Sequence, residues 1–317
     1  MIRRLILCAA MLVAGAAAAD DFPMTISHKF GETVIEAQPQ RVATVDFAGA
    51  DDLLALGVQP VAIRHWYGDQ EGALWPWVTP KLASSPEILR GEINYEQIAR
   101  ADPDVILALW SGITAGDYEQ LSRIAPVVAT PAGMGDFELP WDRRSRIAGR
   151  AIGREAEADA QIAAINARLE VIASEHPAWD GKTASVAYAM NGSPGAYTAR
   201  DIRVQLLAQM GFVQPPALIA AKGQDASFAL TLSEEALNVL DADVILWMSA
   251  TGDFSAIDAL LTRRFLSAAS QGREVLAGEV MTGALSHASL LSLPFALDAL
   301  VPAIEAALAG EGPVALP

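Results

Sequence analysis

Residues 94 to 109, NYEQIARADPDVILAL, return at 233 to 248 as SEEALNVLDADVILWM, with Glu96 and Glu235, Asp102 and Asp241, and Asp104 and Asp243 in register. An internal repeat of this length needs two structural units, which constrains the fold more than any single motif. Each copy reads as a first-turn glutamate, a short helix, an acidic turn and a buried strand, half of an α/β unit. A two-lobed chain with a cleft follows, and the spacing of the copies matches the commonest domain size.

The alternation of strand and helix continues on either side. Apolar runs at 42–45, 61–63, 105–109 and 127–128 predict strands, while Ala50 to Leu56, closed by Gly57, and Asn94 to Ala101 predict helices. The second half repeats the rhythm, with strands at 184–189 and 244–248 and helices at 203–210, closed by Gly211, and 234–240. Between the halves, Arg154 to Glu175 has neither Gly nor Pro and sets Ile162, Ile165, Leu169 and Ile172 on one face, predicting a single long helix. One stiff helix between lobes permits less closure than several flexible strands. Ser292 to Leu308 predicts a terminal helix with Ser292 as N-cap and Pro294 in the tolerated first turn. These signals divide the chain into a leader at 1–19, an N-terminal lobe at 20–152, a linker helix at 153–177 and a C-terminal lobe at 178–317.

The leader, MIRRLILCAAMLVAGAAAAD, has two arginines, an apolar run and a small-residue stretch ending near Ala19, the layout of a cleaved secretory signal. The single cysteine, Cys8, lies inside it behind Leu5, Ile6 and Leu7, without the small residues that precede a lipidated cysteine. A mature chain lacking cysteine has no disulfide and no thiol catalyst, and a bacterial periplasm fits best. The net charge of −16 grows more negative once Arg3 and Arg4 leave, which argues against nucleic acid or an anionic membrane surface as partner.

In open α/β sheets, ligands sit beyond the carboxyl ends of the strands. There the sequence places Arg64, His65, Trp66 and Tyr67 after Ile63, Trp110 after Leu109, and Asn191, Tyr197, Arg200 and Arg203 after Met190. Aromatics and arginines on opposed loops suit a large, partly apolar, oxygen-rich ligand. Trp247, inside VILWM, reads as core. Glu96 and Glu235 follow the N-caps Asn94 and Ser233, where a helix dipole favours a carboxylate in any case. Their matched register adds a second meaning: pseudo-symmetric lobes present paired charges to a two-fold symmetric partner. The four histidines show no paired metal spacing, and no GxSxG elbow appears. One or two of His65, Tyr67 and His287 remain available as axial ligands to haem.

The stretches RVATVDFAGADDLLALGVQPVA, INYEQIARADPDVILALWSG with YEQLSRIAPVVA, IAGRAIGREAEA and LSEEALNVLDADVIL together resemble the periplasmic binding proteins of ABC importers for ferric siderophores, the helical-backbone group that includes ferrichrome and cobalamin binders. The resemblance spans almost the whole mature chain. It implies an α/β fold of two Rossmann-like lobes with central sheets, joined by one long rigid helix. It further implies a monomeric, non-enzymatic carrier that holds a ferric siderophore in a shallow cleft, with no cofactor and no direct metal ligand because the siderophore holds the iron. An inner-membrane ABC permease dimer is the implied partner, and the family's docking glutamates fall on Glu96 and Glu235. The arginine that meets the chelating oxygens falls on Arg90, which joins Trp66, Tyr67, Trp110, Tyr197, Arg200 and Arg203 as the expected ligand wall. A cleft tyrosine that ferrichrome-type relatives carry just beyond a WS pair has no match, since this chain reads Trp110, Ser111, Gly112, Ile113, Thr114. That departure counts against a ferrichrome-like ligand and leaves ferric chelates in general. The alternatives are a haem or corrinoid-like macrocycle and, from another class, an exported chelatase-like enzyme. The sequence leaves hydroxamate, catecholate and carboxylate chemistry open.

Overall fold

A computed structural model describes residues 22–68, 74–190, 192–221 and 228–317, so the leader with Cys8, and Asn191, lie outside the described residues. The first half opens on a hairpin, β1 (Met24–His28) with β2 (Gly31–Ile35), and then forms β3 (Val42–Thr44), α1 (Gly49–Ala55), β4 (Ala62–Arg64), β5 (Glu87–Leu89), α2 (Tyr95–Arg100), β6 (Val105–Ala108), α3 (Ala115–Leu121), β7 (Val127–Ala129) and α4 (Trp141–Ala151). Strands β3 to β7 make one parallel sheet in the order β5-β4-β3-β6-β7. Strands β3, β6 and β7 are buried along their whole length, which explains why they read as unbroken apolar runs rather than alternating ones.

After α5 (Glu155–Glu175) come β8 (Ala184–Met190), β9 (Ser193–Tyr197), α6 (Ile202–Gln209), α7 (Pro216–Ala221), β10 (Ala229–Thr231), β11 (Val244–Met248), α8 (Ser255–Asp258), α9 (Ser267–Ser270), β12 (Glu274–Ala277), α10 (Glu279–His287), α11 (Ser292–Leu308) and β13 (Val314–Leu316). Their sheet has the order β10-β9-β8-β11-β12-β13, parallel from β8 to β13 and antiparallel at β9 and β10. The fold is therefore mixed α/β with a largely parallel sheet in each of two lobes.

The sequence repeat has a structural meaning. Asp104 accepts hydrogen bonds from the backbone N–H groups of Gln40 at 2.7 Å and Arg41 at 3.0 Å, just before β3. Asp243 accepts from the N–H of Thr183 at 2.7 Å, just before β8. In each lobe the repeated aspartate fixes the entry of the first core strand beside the strand that follows the aspartate.

Helix α5 buries Ala158, Ile162, Ile165, Leu169 and Ile172, and at 1.5 Å per residue it spans roughly 30 Å. It is held from both directions. Gln161 donates to the Ala55 carbonyl at 3.0 Å, and Arg168 donates to the Pro294 carbonyl at 3.1 Å. One apolar core continues from the hairpin through α1, α4 and α5 into α10 and α11, so the lobes share packing as well as a linker.

Two local expectations change. Residues Glu234–Leu240 form a 3-10 helix, because Thr262 takes the Glu234 carbonyl at 2.9 Å and its carboxylate at 3.1 Å, drawing the first turn away from α geometry. Helix α11 begins at Ser292 itself, and Ser289 does the capping work: each serine N–H donates to the other's hydroxyl at 2.9 Å.

Candidate functional site

In the first sheet the chain runs outward from β3 through β4 to β5 and then returns to β6 on the other side of β3. That reversal opens a crevice beyond the carboxyl ends of β3, β4 and β6. The residues leaving those ends are Phe47 after β3, Trp66 and Tyr67 after β4, and Trp110 after β6. Phe137, from the connection between β7 and α4, completes the first wall. Opposite stand Tyr197 at the end of β9, Asp201, Ile202 and Arg203 at the start of α6, Phe228, Ala250 beyond β11, and Thr282 and Ser286 on α10. Together they enclose a cavity of about 510 Å³ between the lobes, within the usual range for ligand pockets. A hollow of about 540 Å³ between α4, α5 and α6 is lined by Asn166, Glu170, Gln205 and Gln209 among others, and it lies away from the strand ends.

The first wall is a packed aromatic surface. Trp66 meets Trp110 edge to face with ring centroids 5.2 Å apart and lies 5.4 Å from Phe47, and Trp110 meets Phe137 at 5.4 Å. Edge-to-face and tilted pairs of this kind fix one another's rotamers, so the wall is preformed. Arg64 lies behind it, its guanidinium carbon 4.2 Å from the Phe47 ring centre, and donates to the Ser111 carbonyl at 3.1 Å. Its Nε is buried without a partner, and burial lowers its pKa.

Across the cavity, Arg203 is bound to Asp201 by two side-chain bonds, Nε to Oδ1 at 2.7 Å and Nη2 to Oδ2 at 2.6 Å, and donates to Ser286 at 3.1 Å. Asp201 also caps α6 by accepting from the Arg203 N–H at 2.9 Å. The guanidinium carbon is 3.6 Å from the centre of the Tyr197 ring. Burial opposes the arginine's charge, but Asp201 outweighs it and raises its pKa above the ordinary value. Burial also pushes the Tyr67 phenol up to about 12, against the opposing effects of Ser286 and Arg203 beside it. At neutral pH the Tyr67 phenol stays neutral, and the residue lines the cavity.

A buried polar seam joins the lobes behind the aromatic wall. Asp52 receives Arg144 at 3.2 Å, Ser145 at 2.9 Å and the Leu290 N–H at 3.1 Å. Arg144 donates onward to the His287 and Ala288 carbonyls, both at 2.9 Å. Asp51 accepts from Trp77 and Ser289, each at 2.7 Å, and lies 3.3 Å from His287 Nδ1. Helix α10 comes so close to this region that a Cβ at Gly283 would stand 2.7 Å from the Trp75 ring.

Of the residues expected from sequence, Trp66, Tyr67, Trp110, Tyr197 and Arg203 line the cavity together. Arg200 stands apart from that lining as an exposed residue, 3.4 Å from Glu138 of the opposite lobe. Arg90 lies elsewhere: it follows the edge strand β5, is exposed, and borders an open depression with Glu96 and Gln97. Glu96 and Glu235 are both exposed in the first turns of their helices. Of the three axial candidates for haem, only Tyr67 lines the large cavity. His65 and His287 border a smaller recess behind Trp66, and His65 Nε2 lies 2.9 Å from the Gly68 carbonyl. Among the described residues no three His, Cys, Asp or Glu side chains gather as a metal-ligand set. Trp247 is core, fully buried and donating to Glu274 at 2.6 Å. Phe47, Phe137, Phe228, Asp201, Thr282 and Ser286 also line the cavity and were not read as ligand contacts in the sequence. Phe47 carried a usable signal, since it follows β3 as Trp66 follows β4.

Two α/β lobes that share a core and enclose an aromatic cavity at their strand ends define a two-lobed ligand-binding protein. Residues 42–272 match the model of the periplasmic binding protein family, and the chain belongs to that family. It is 33% identical to a periplasmic solute binding protein from Mycobacterium smegmatis, whose crystal structure aligns with a TM-score of 0.78 over 90% of this chain and 98% of that one. The structure of PiaA from Streptococcus pneumoniae in complex with ferrichrome is 28% identical and aligns with a TM-score of 0.75 over 90% of this chain and 99% of that one. The probable siderophore-binding lipoprotein YfiY of Bacillus subtilis is 27% identical over 238 residues, 72% of this chain and 70% of the relative.

Proposed function

We propose that this protein captures a ferric siderophore outside the cytoplasmic membrane and delivers it to an inner-membrane ABC permease. The observation that carries the reading is the cavity itself, walled by the aromatic cluster of one lobe and by Tyr197 and Arg203 of the other. Its place in a family of substrate-binding proteins, and the ligand named for its relative PiaA, support it. The chelator supplies the iron's coordinating oxygens, so the protein has to match only the outer surface of the complex. Trp66, Trp110 and Phe47 cover apolar parts, while Tyr67, Ser286 and Arg203 supply donors to exposed oxygens. Glu96 and Glu235, one on each lobe, meet arginine-bearing surfaces of the permease's two subunits. Residues 1–19 export the chain, which works as a monomer.

Calorimetric titration with ferric siderophores, the matching iron-free chelators and haemin tests the proposal. One ferric chelate should saturate at one molecule per chain, more tightly than its iron-free form. Haemin binding more tightly than every ferric chelate would replace this reading with a macrocycle carrier.

A further inference from the structure

Resting on the siderophore reading, we propose that the cleft selects ferric chelates without net negative charge, of the tris-hydroxamate class, and discriminates against anionic catecholate and carboxylate chelates. Three hydroxamates, each a monoanion, neutralise Fe³⁺, whereas three catecholates, each a dianion, leave a trianion. The charge balance of the cavity distinguishes these products.

Arg203 is the one lysine or arginine among the described residues lining the cavity. Its fork is already occupied by the two carboxylate oxygens of Asp201 at 2.6 and 2.7 Å. At the rim Arg200 faces Glu138 at 3.4 Å. Behind the aromatic wall Arg144 is paired with Asp52 at 3.2 Å, and Arg64 lies in the fields of Asp46 and Asp117. Arg203, Arg200 and Arg144 are thus each paired with a carboxylate, while Arg64, which has no ion pair among the described residues, is held behind the Phe47 ring by the Ser111 carbonyl. Another carboxylate, that of Glu279, sits beside the backbone of Gly68, next to Tyr67. The whole sequence carries −16, so the long-range field also repels anions.

A trianion entering this space gives up its hydration and, among the described residues lining it, meets no positive charge that a carboxylate does not already hold, and an unpaired buried charge is among the costliest arrangements in a protein. A neutral chelate gives up far less and gains aromatic contact over Trp66, Trp110, Phe47 and Phe137. A chelate bearing an amine gains further, because ring faces attract cations. The tyrosine missing beyond Ser111 removes one contact and leaves this charge balance unchanged.

The experiment compares dissociation constants, by tryptophan fluorescence on the full mature chain, for a neutral ferric tris-hydroxamate, a ferric tris-catecholate and ferric citrate. The neutral complex should bind at least about 100-fold more tightly than either anion, with little dependence on salt, and added salt should improve what anion binding there is. Asp201→Asn, which keeps an acceptor for the α6 cap while freeing the charge of Arg203, should shift the anion-to-neutral affinity ratio at least about tenfold toward the anion. Anionic chelates binding as tightly as the neutral one would overturn the selectivity and leave the siderophore reading standing, as would an unchanged ratio in a folded Asp201→Asn protein. If that variant does not fold, the wild-type ratio and its salt dependence decide. Failure of all three chelates to bind would remove the siderophore reading and this inference with it.

Discussion

Arg144 and Asp52 face each other 3.2 Å apart at the junction of the lobes, each side chain 1% exposed. Asp52 lies on α1 and Arg144 on α4, and the arginine's Nη2 spans the junction to the carbonyls that end α10. This places a charged seam, in addition to α5, across the line along which the lobes would move. Removing one partner of a buried pair strands the other's charge. Arg144→Ala should therefore cost about 3 to 5 kcal/mol in urea unfolding. A loss below about 1 kcal/mol would mean that the seam does little to hold the lobes.

Asp46, which accepts from the Trp110 N–H at 2.7 Å beside the seam, brings a pH dependence. Asp46 has its pKa raised to about 6, chiefly by burial, against the opposing effects of the Trp110 and Leu109 N–H groups and Arg144. The folded chain holds this proton more tightly than the unfolded one, so the stability it contributes is complete below the ordinary value of 3.8 and is lost as pH rises through about 6. Asp52 shifts in the same direction, again mainly by burial. Asp46→Asn should be more stable than the parent at pH 7.5 by about 1 to 3 kcal/mol and nearly equal to it at pH 4. Thermal melts at both pH values check this, and a variant less stable at pH 7.5 would contradict it.

Legibility in the sequence followed physical scale. Strands such as Val105–Ala108 and Val244–Met248, buried on both faces, left apolar runs that no other element imitates. The linker showed itself by its length without Gly or Pro. The seam was hidden: Asp51 and Asp52 look like ordinary first-turn acids of an exposed helix, and their partners His287, Ser289 and Leu290 lie more than two hundred residues away. The cavity was half legible for a related reason. Trp66 and Tyr67 stand in a conspicuous aromatic run, whereas Phe137, Thr282 and Ser286 are single residues brought in by chain geometry alone.

Ligand affinity should track the aromatic wall. Trp66 touches Phe47, Tyr67 and Trp110, so Trp66→Ala removes a wall surface and loosens its neighbours. The expected loss is about 2 kcal/mol, roughly 30-fold in Kd, as for other buried aromatic anchors. Arg90→Ala, beyond the edge strand, should cost less. Titration of both variants with the same ferric chelate decides, and a larger loss at Arg90 would move the binding site toward the depression beside Glu96.

Delivery and capture should separate. Glu96 and Glu235 are exposed and absent from the cavity lining, so Glu96→Ala and Glu235→Ala should each leave affinity within about twofold while slowing uptake through the reconstituted permease, the double variant most. Full transport by the double variant would remove these residues from the docking surface.

The central claim is that iron, inside its chelator, rests between the aromatic wall and Arg203. Anomalous diffraction at the iron edge, from crystals grown with a ferric tris-hydroxamate, locates the metal directly. The account predicts one iron peak within the inter-lobe cavity, flanked by Trp66 and Trp110 on one side and by Tyr197 and Arg203 on the other. A peak at the Arg90 depression, or in the hollow between α4, α5 and α6, would contradict it.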